Sequence, residues 1–144
     1  MSLSIIIGSD HAGFELKEKI RTHLTAEGYT VEDAGSFNET SVNYVDHAKI
    51  VARAVSEGRF SKGILVCGSG IGMSMAANRF KGVRAALCSD LLSARLSRQH
   101  NDANVLALGG RLIGDVLALE LVKTFLETEF EGGRHLDRIQ SMDS

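Results

Sequence analysis

Short apolar runs alternate along the chain with longer segments that have the periodicity of helices. Five of these runs, rich in Val, Ile, Leu and Ala, have the length of β-strands: residues 3–7, 30–34, 63–67, 84–88 and 104–108. Each run is followed by small or polar residues and then by a helical pattern, an order typical of α/β proteins. The pattern therefore predicts a five-stranded parallel sheet with helices on both faces.

The helical segments carry apolar side chains every three or four positions. In residues 12–27 four apolar side chains recur at helical spacing, and Gly28 is placed to end the helix. Further helices are predicted at 45–57, which Gly58 ends, and at 71–80, 91–99, 116–130 and beyond the glycines at 132–133. Because no linker interrupts the pattern, we expect one domain, residues 1–144, with 132–144 as a helical extension.

The connection rules of parallel sheets place the strand-to-helix loops at one edge. Right-handed crossovers bring all of them to the carboxyl edge of the sheet, where open α/β folds bind ligands. The loops contain GSDHAG after the first strand, CGSGIG after the third and LGGRLIG after the fifth. We therefore expect the chemistry of the protein at this edge.

The composition limits the classes of partner. The 144 residues carry a formal net charge of -2, with 44% hydrophobic and 24% charged residues, so attraction to nucleic acid or acidic membranes is not expected. No apolar run approaches the ~20 residues of a membrane helix, and the start MSLSIIIGSD does not resemble a secretion signal. Two cysteines suit a reducing compartment. We therefore expect a cytoplasmic protein with a small-molecule partner.

Three glycines at alternate positions, Gly68, Gly70 and Gly72, lie between the third strand and the next helix. Glycines there allow positive φ and let backbone N–H groups converge, which makes a cradle for a phosphate or an oxyanion. The alternative is a tight turn that needs glycine for geometry alone. A dinucleotide-binding fingerprint is a weaker interpretation, because Met73 stands where its last glycine belongs, although Asp90 occupies the expected place of a ribose-binding acid.

Cys67 is the last residue of the third predicted strand, directly before this loop. The partial positive charge of a helix N-terminus, ~0.5 of an elementary charge, favours a thiolate, which is able to act as a base or nucleophile. The alternative is a buried small apolar side chain, the commonest environment of a free cysteine. Cys88 ends the next predicted strand without a glycine loop, and we interpret it as structural.

Four longer segments occur in this order: SDHAGFELK, GILVCGSGIGMSMAANRFKGVRAALC, ARLSRQHNDANVLALGGR and EGGRHLDRI. Together they closely resemble the ribose-5-phosphate isomerase B family, which includes the allose-6-phosphate isomerase activity and the two subunits of galactose-6-phosphate isomerase. The resemblance implies a Rossmann-like three-layer α/β/α sandwich and an aldose-ketose isomerase that uses an enediolate, with no metal or other cofactor. It also implies a homodimer or tetramer whose active sites contain residues of two subunits.

The resemblance assigns catalytic roles to individual residues. Cys67 matches the base of the cysteine branch of the family, because the other branch uses a glutamate where this chain has Met73. His100 matches the acid and base that opens the sugar ring, assisted by Asp10. The enediolate is suited to the backbone N–H groups of the loop, namely those of Gly68, Ser69, Gly70, Ile71 and Gly72.

The resemblance also assigns the phosphate and the sugar to named side chains. The family's phosphate-binding set matches His11, Arg111, Arg134 and Arg138, while Tyr44 and Asn101 match further substrate contacts. The family commonly has a proline after this tyrosine, and its absence here predicts a less constrained loop around Tyr44. The residues alone leave alternatives open: a histidine at a helix C-terminus is often a cap, and paired arginines are often a solvated tail.

Ribose 5-phosphate and ribulose 5-phosphate are the substrate pair that this resemblance predicts. A six-carbon phosphosugar such as allose 6-phosphate or galactose 6-phosphate is an alternative, because the extra hydroxymethyl group depends on pocket depth. A non-catalytic module that binds a phosphosugar or nucleotide is a third possibility. Cys67, Asp10 and His100 argue against such a module, since pure binding needs no proton shuttle.

Overall fold

The structure is a computed structural model that describes residues 3–144. The domain expected from the sequence, 1–144, therefore begins with two residues that lie outside the described part of the chain. Five strands form the sheet: β1 (Ser4–Ser9), β2 (Thr30–Asp33), β3 (Lys62–Cys67), β4 (Ala85–Leu87) and β5 (Val105–Gly109). Six helices accompany them: α1 (Phe14–Ala26), α2 (Tyr44–Ser56), α3 (Ile71–Ala77), α4 (Leu91–Gln99), α5 (Asp115–Glu127) and α6 (Arg134–Ser141).

The strands are hydrogen-bonded in the order β2-β1-β3-β5-β4, and every neighbouring pair is parallel. The predicted five-stranded parallel sheet is therefore confirmed. The chain leaves β1 on one side to form β2 and returns to form β3 on the other side of β1. The direction of winding thus reverses between β1 and β3, and ligands of open α/β sheets bind at such a reversal, outside the carboxyl ends of the strands.

Helices cover both faces of the sheet because successive side chains of a strand point to opposite faces. On one face, Ile5 and Ile7 pack with buried side chains of α1, α4 and α5. On the other face, Ile6 and Leu65 pack with buried side chains of α2 and α3. This three-layer α/β/α arrangement confirms the predicted fold class.

Two glycines end the first two helices as the sequence predicts. Gly28 and Gly58 follow α1 and α2 with φ angles of 97° and 78°, the left-handed conformation that glycine adopts without a steric penalty. Within residues 3–144, none of the helices combines the length and the apolar character that crossing a bilayer requires.

Candidate active site

A cleft of about 580 Å³ opens where the carboxyl ends of β1, β3 and β5 meet, beside the reversal in strand order. Its size is in the range of small-ligand sites. Loops that follow β1, β3 and β5 contribute most of its lining, and α2 contributes its first residue. The cleft is lined by Asp10, His11, Ala12, Tyr44, Cys67, Gly68, Ser69, Ile71, Gly72, Arg111 and Leu112.

Cys67 ends β3 at the floor of this cleft, with 5% of its surface exposed. Its side chain packs with the apolar cluster beneath α2 and α3, and its Sγ accepts a hydrogen bond of 3.0 Å from the N–H of Gly70. Gly70 has a φ of 82°, and a Cβ there would lie 2.6 Å from Leu87. Glycine is therefore required at the position that directs an N–H group to the sulfur.

The glycine loop after Cys67 uses part of its hydrogen-bonding capacity internally. Besides the bond from Gly70 to sulfur, the N–H of Ile71 donates to Ser69 Oγ over 3.1 Å. Among residues 3–144, no acceptor receives the N–H groups of Gly68, Ser69 and Gly72. Of the five donors that the sequence predicts, the sulfur and the serine hydroxyl occupy two, and three remain without an acceptor.

Asp10 and His11 follow β1 and face the cleft from the other side of the reversal. Asp10 is 7% exposed, and its Oδ1 accepts a hydrogen bond of 2.9 Å from the N–H of Gly13, directly before α1. His11 Nδ1 accepts from the N–H of Val42 over 3.2 Å. Because a backbone N–H only donates, a neutral His11 ring carries its proton on Nε2, where it is available to a ligand.

Tyr44 begins α2 and lies against the glycine loop. A Cβ at Gly72 would lie 2.6 Å from the Tyr44 ring, so the ring occupies the space that any other side chain would fill. Asn43 caps the helix, and its side chain accepts from the N–H of Val45 over 3.0 Å. This bond caps the start of α2, and the less constrained loop expected around Tyr44 stays a prediction.

Arg111 follows β5 and reaches across the loop after β3. Its backbone N–H donates to the carbonyl of Gly68 over 3.0 Å, and a Cβ at Gly68 would lie 3.5 Å from its Cδ. The side chain is exposed at the rim of the cleft, so its guanidinium is available to an anion.

Five predicted site residues are not among those that line this cleft: Gly70, which lies beneath the loop, and His100, Asn101, Arg134 and Arg138. His100 is the C-cap of α4 and Asn101 follows it, so both precede β5 at the amino edge of the sheet. The five residues of β5 separate the two edges by roughly 16 Å at about 3.3 Å per residue. Asn101 instead lines a second cavity, of about 450 Å³, beside β4.

His100 belongs to a compact polar cluster with two residues that the sequence analysis did not select. Its ring stacks on that of His135 with centroids 4.5 Å apart, and the Nε2 atoms of the two rings lie 4.0 and 3.7 Å from Glu131 Oε1. Burial, then the nearby His100 and Arg134, lower the pKa of His135. Glu131 and His135 both lie in the segment EGGRHLDRI, next to Arg134 and Arg138. This proximity to two selected arginines was the signal in the sequence that could have identified them.

Arg98 holds the turn that carries His100 and Asn101, and sequence reasoning missed it as well. Its buried guanidinium donates to Asp102 Oδ1 and to the carbonyl of Ala103, both over 2.7 Å, and to the carbonyl of Thr128 over 3.0 Å. These bonds connect the end of α4 with the end of α5. Arg134 and Arg138 project from α6 into solvent.

Comparison with known proteins identifies the family. The family model described as Ribose/Galactose Isomerase matches residues 5–142. Ribose-5-phosphate isomerase B of Escherichia coli (strain K12) is 47% identical over 138 residues, covering 96% of this chain and 93% of that protein. D-erythrulose-4-phosphate isomerase of Pectobacterium atrosepticum is 44% identical over 142 residues, covering 97% of this chain and 93% of that protein.

The solved structures agree with this assignment. The crystal structure of a ribose 5-phosphate isomerase from Thermotoga maritima superposes with a TM-score of 0.97 at 52% identity and covers 99% of both chains. This chain therefore belongs to the ribose/galactose isomerase family and is an isomerase. The resemblance seen in the sequence motifs is confirmed.

Proposed function

We propose that this isomerase interconverts ribose 5-phosphate and ribulose 5-phosphate through an enediolate, with Cys67 as the base. One observation carries the proposal: the sulfur of Cys67 lies in the cleft at the strand-order reversal, and the N–H of Gly70 donates to it. An N–H directed at sulfur stabilises a thiolate. The high identity to proteins named ribose-5-phosphate isomerase B supports the choice of substrate.

The proton transfer at carbon follows from the surroundings of the sulfur. The Cys67 thiolate removes the proton from C2 of the open-chain sugar and returns it to C1, while negative charge develops on the two oxygens. The N–H groups of Gly68, Ser69 and Gly72 are the donors that remain for these oxygens. Donors of this kind stabilise the transition state by about 3 kcal/mol each.

Ring opening and phosphate binding need residues from both edges of the sheet. Asp10 assists His100 in opening the ring, and His11 and Arg111 bind the phosphate together with Arg134 and Arg138. Because His100 precedes β5 and Cys67 faces its far end, the two do not meet within one chain. We therefore propose that the carboxyl edge of one copy faces the polar cluster of a second copy, in a homodimer or a tetramer, where Tyr44 and Asn101 contact the sugar.

Other phosphosugars are alternative substrates. The Pectobacterium relative is named for a four-carbon phosphosugar, and the family model also covers galactose isomerases. All of these substrates share the phosphate and the aldose-ketose pair, so the same residues serve each of them. Chain length is then set by the depth of the cleft between Tyr44 and the arginines.

The decisive experiment supplies ribose 5-phosphate, D-erythrulose 4-phosphate, allose 6-phosphate and galactose 6-phosphate to the purified protein without added metal. We expect turnover of ribose 5-phosphate with the highest kcat/KM. Cys67→Ala is expected to lower kcat by roughly 100-fold or more, the usual contribution of a general base. Cys88→Ala, the matched control, keeps kcat within about 2-fold. Near-normal turnover by Cys67→Ala overturns the role of Cys67, and binding without turnover of any sugar overturns the reaction.

We also propose that residues 1–144 form one domain and that the protein works in the cytoplasm. The second statement is supported by two free and buried cysteines, which suit a reducing compartment.

A further inference from the structure

We infer that His100, Glu131 and His135 form a binding site for a divalent transition metal such as Zn²⁺, and that metal bound there inhibits the isomerase. In the part of the chain that the structure describes, these three side chains are the group whose potential ligand atoms all lie within 4.8 Å of one another. The inhibitory part rests on the proposed function, because it requires His100 to move protons. The binding part does not.

The geometry suits a metal with three protein ligands. His100 Nε2 and His135 Nε2 both approach the same atom, Glu131 Oε1, at 4.0 and 3.7 Å. Two imidazole nitrogens and one carboxylate oxygen are a ligand set that Zn²⁺ accepts at about 2.0–2.2 Å, with a fourth position left open. Donor atoms around such an ion lie roughly 3.3 Å apart, so the cluster must contract slightly.

The side chains are able to make this contraction. His100 and Glu131 are 42% and 51% exposed, so both can rotate, while His135 at 11% is fixed by the packing of α6. The His135 ring therefore serves as the stationary ligand. In the stacked arrangement, at an interplanar angle of 13°, the in-plane lone pairs of the two Nε2 atoms are nearly parallel, so the exposed His100 ring must turn to direct its Nε2 at an ion held by His135 and Glu131.

The charges around the cluster determine how tightly we expect it to bind the metal ion. Glu131 supplies one negative charge, whereas Arg134 and Arg138 on α6 oppose a cation. We therefore expect an affinity on the order of micromolar rather than that of a structural zinc site. A site of this strength is reversible, which suits inhibition rather than stabilisation of the fold.

Isothermal titration of the untagged protein with ZnCl₂, in a buffer that does not bind zinc, tests the site. We expect one Zn²⁺ per chain, and at least about 10-fold weaker binding by Glu131→Gln and by His135→Gln. His23→Gln is the matched control, because His23 Nε2 lies 3.0 Å from Glu27 Oε1 but that pair has no third ligand in the described residues. Cys67→Ala is a second control, which tests whether the thiol in the cleft binds zinc instead of the cluster. We expect His23→Gln and Cys67→Ala to bind zinc as the wild type does.

Binding that is unchanged in Glu131→Gln and His135→Gln, or lost in Cys67→Ala, overturns the site. So does the absence of binding below about 1 mM Zn²⁺.

The activity measurement tests the inhibition separately. Zn²⁺ at saturation is expected to lower the rate of the wild type at least 10-fold and EDTA to restore it, and Glu131→Gln is expected to need at least about 10-fold more Zn²⁺ for the same loss. Zinc bound at the cluster with an unchanged rate overturns the inhibitory part. If the metal-free protein isomerises no phosphosugar, the proposed function fails, and the titration still decides whether the site exists.

Discussion

The two cysteines lie at the ends of β3 and β4, which β5 separates, and they differ in their surroundings. Cys67 ends β3, borders the cleft and accepts an N–H bond. Cys88 follows β4, is 2% exposed and packs among apolar side chains of α4 and α5. Burial raises the pKa of the Cys88 thiol to about 11 from an ordinary value of 9.0. A thiol that ionises so reluctantly is a packing residue, as the sequence analysis expects.

The raised pKa of Cys88 makes the stability of the protein fall in alkali. Above pH 9.0 the unfolded chain loses this proton while the folded chain keeps it until about pH 11, so ionisation favours unfolding in this window. We expect the wild type to lose about 2–3 kcal/mol more than Cys88→Ala between pH 8 and pH 11, at ~1.4 kcal/mol per pKa unit. Urea unfolding at both pH values measures the difference, and parallel losses in the two proteins would contradict it.

Position 72 requires glycine because the ring of Tyr44 occupies the space that a side chain there would need. Gly72→Ala should therefore displace Tyr44 from the cleft and raise KM by roughly 10-fold, which corresponds to about 1.4 kcal/mol of binding, with a smaller change in kcat. Gly114→Ala is the matched control, because a Cβ at Gly114 meets nothing within 4 Å. Steady-state kinetics of both variants measure KM and kcat. An unchanged KM for Gly72→Ala would exclude Tyr44 from substrate binding.

The site residues that follow strands could be predicted from the sequence, whereas their internal bonds could not. Asp10, His11 and Cys67 are found at strand ends because parallel strands bring their loops to one edge. The N–H groups of Gly70 and Ile71 donate within the loop, to Cys67 Sγ and Ser69 Oγ. These bonds depend on the positions of two side-chain atoms, which a sequence pattern does not give. His135 and Glu131 were missed because they reach His100 only through two tertiary contacts: the stack of the two histidine rings and the bond from the N–H of Glu131 to the carbonyl of Gln99.

Lys17 on α1 fixes the segment that follows β2, and through it the end of β1. Its side chain is fully buried, and its Nζ donates to both carboxylate oxygens of Asp33 and to the carbonyl of Ser36. Ser36 and Gly35 exchange backbone hydrogen bonds with Ser9, directly before Asp10. A buried ammonium group of α1 therefore supports the position of a cleft carboxylate.

Replacing this ammonium group should cost much of the stability. Lys17→Met leaves Asp33 and the Ser36 carbonyl without their main partner, and removing one member of a buried pair costs about 3–5 kcal/mol. We expect the melting temperature to fall by about 10 °C, at about 2–4 °C per kcal/mol for a chain of this size. Lys19→Met breaks only exposed pairs, with Asp115 and Glu15, and should shift the melting temperature by less than about 3 °C. Calorimetry measures both shifts, and equal shifts would contradict the role of Lys17.

The predicted helix ends agree best with the structure where the sequence contains a capping residue. The prediction for α4 is correct at both ends, since Asp90 caps it by accepting from the N–H of Ser93. The prediction for α3 is three residues too long, because helix α3 ends at Ala77. Asn78 instead exchanges two hydrogen bonds with the backbone of Ala85 in β4. Such a contact between distant segments leaves no periodic signal.

The proposed reaction needs groups from both edges of the sheet. The carboxyl edge holds Cys67 and Asp10, while the amino edge holds His100 beside α6. Local sequence patterns could predict the first half, because it depends on strand ends. The second half lies on a helix-to-strand turn, where such patterns predict a cap, and only the resemblance to the family selected His100. A site that uses both halves requires a second copy of the chain.

Mixing two inactive variants tests this requirement. Cys67→Ala and His100→Gln should each be inactive alone, because every site then lacks one group. In a mixed dimer, one site combines Cys67 and His100 from the unmutated positions of the two chains and is complete. Random pairing makes half of the dimers mixed, so co-expression should restore roughly a quarter of the wild-type activity.

The matched control pairs Cys67→Ala with Asp10→Asn. Both residues line the cleft of the same chain, so in a mixed dimer each site contains one mutated chain at this edge and neither site is complete. No activity is expected from this mixture. Recovery in the control would place Asp10 and Cys67 in different sites, and no recovery in the first mixture would mean that His100 does not complete the site of a second copy, leaving ring opening to Asp10 and the groups beside it.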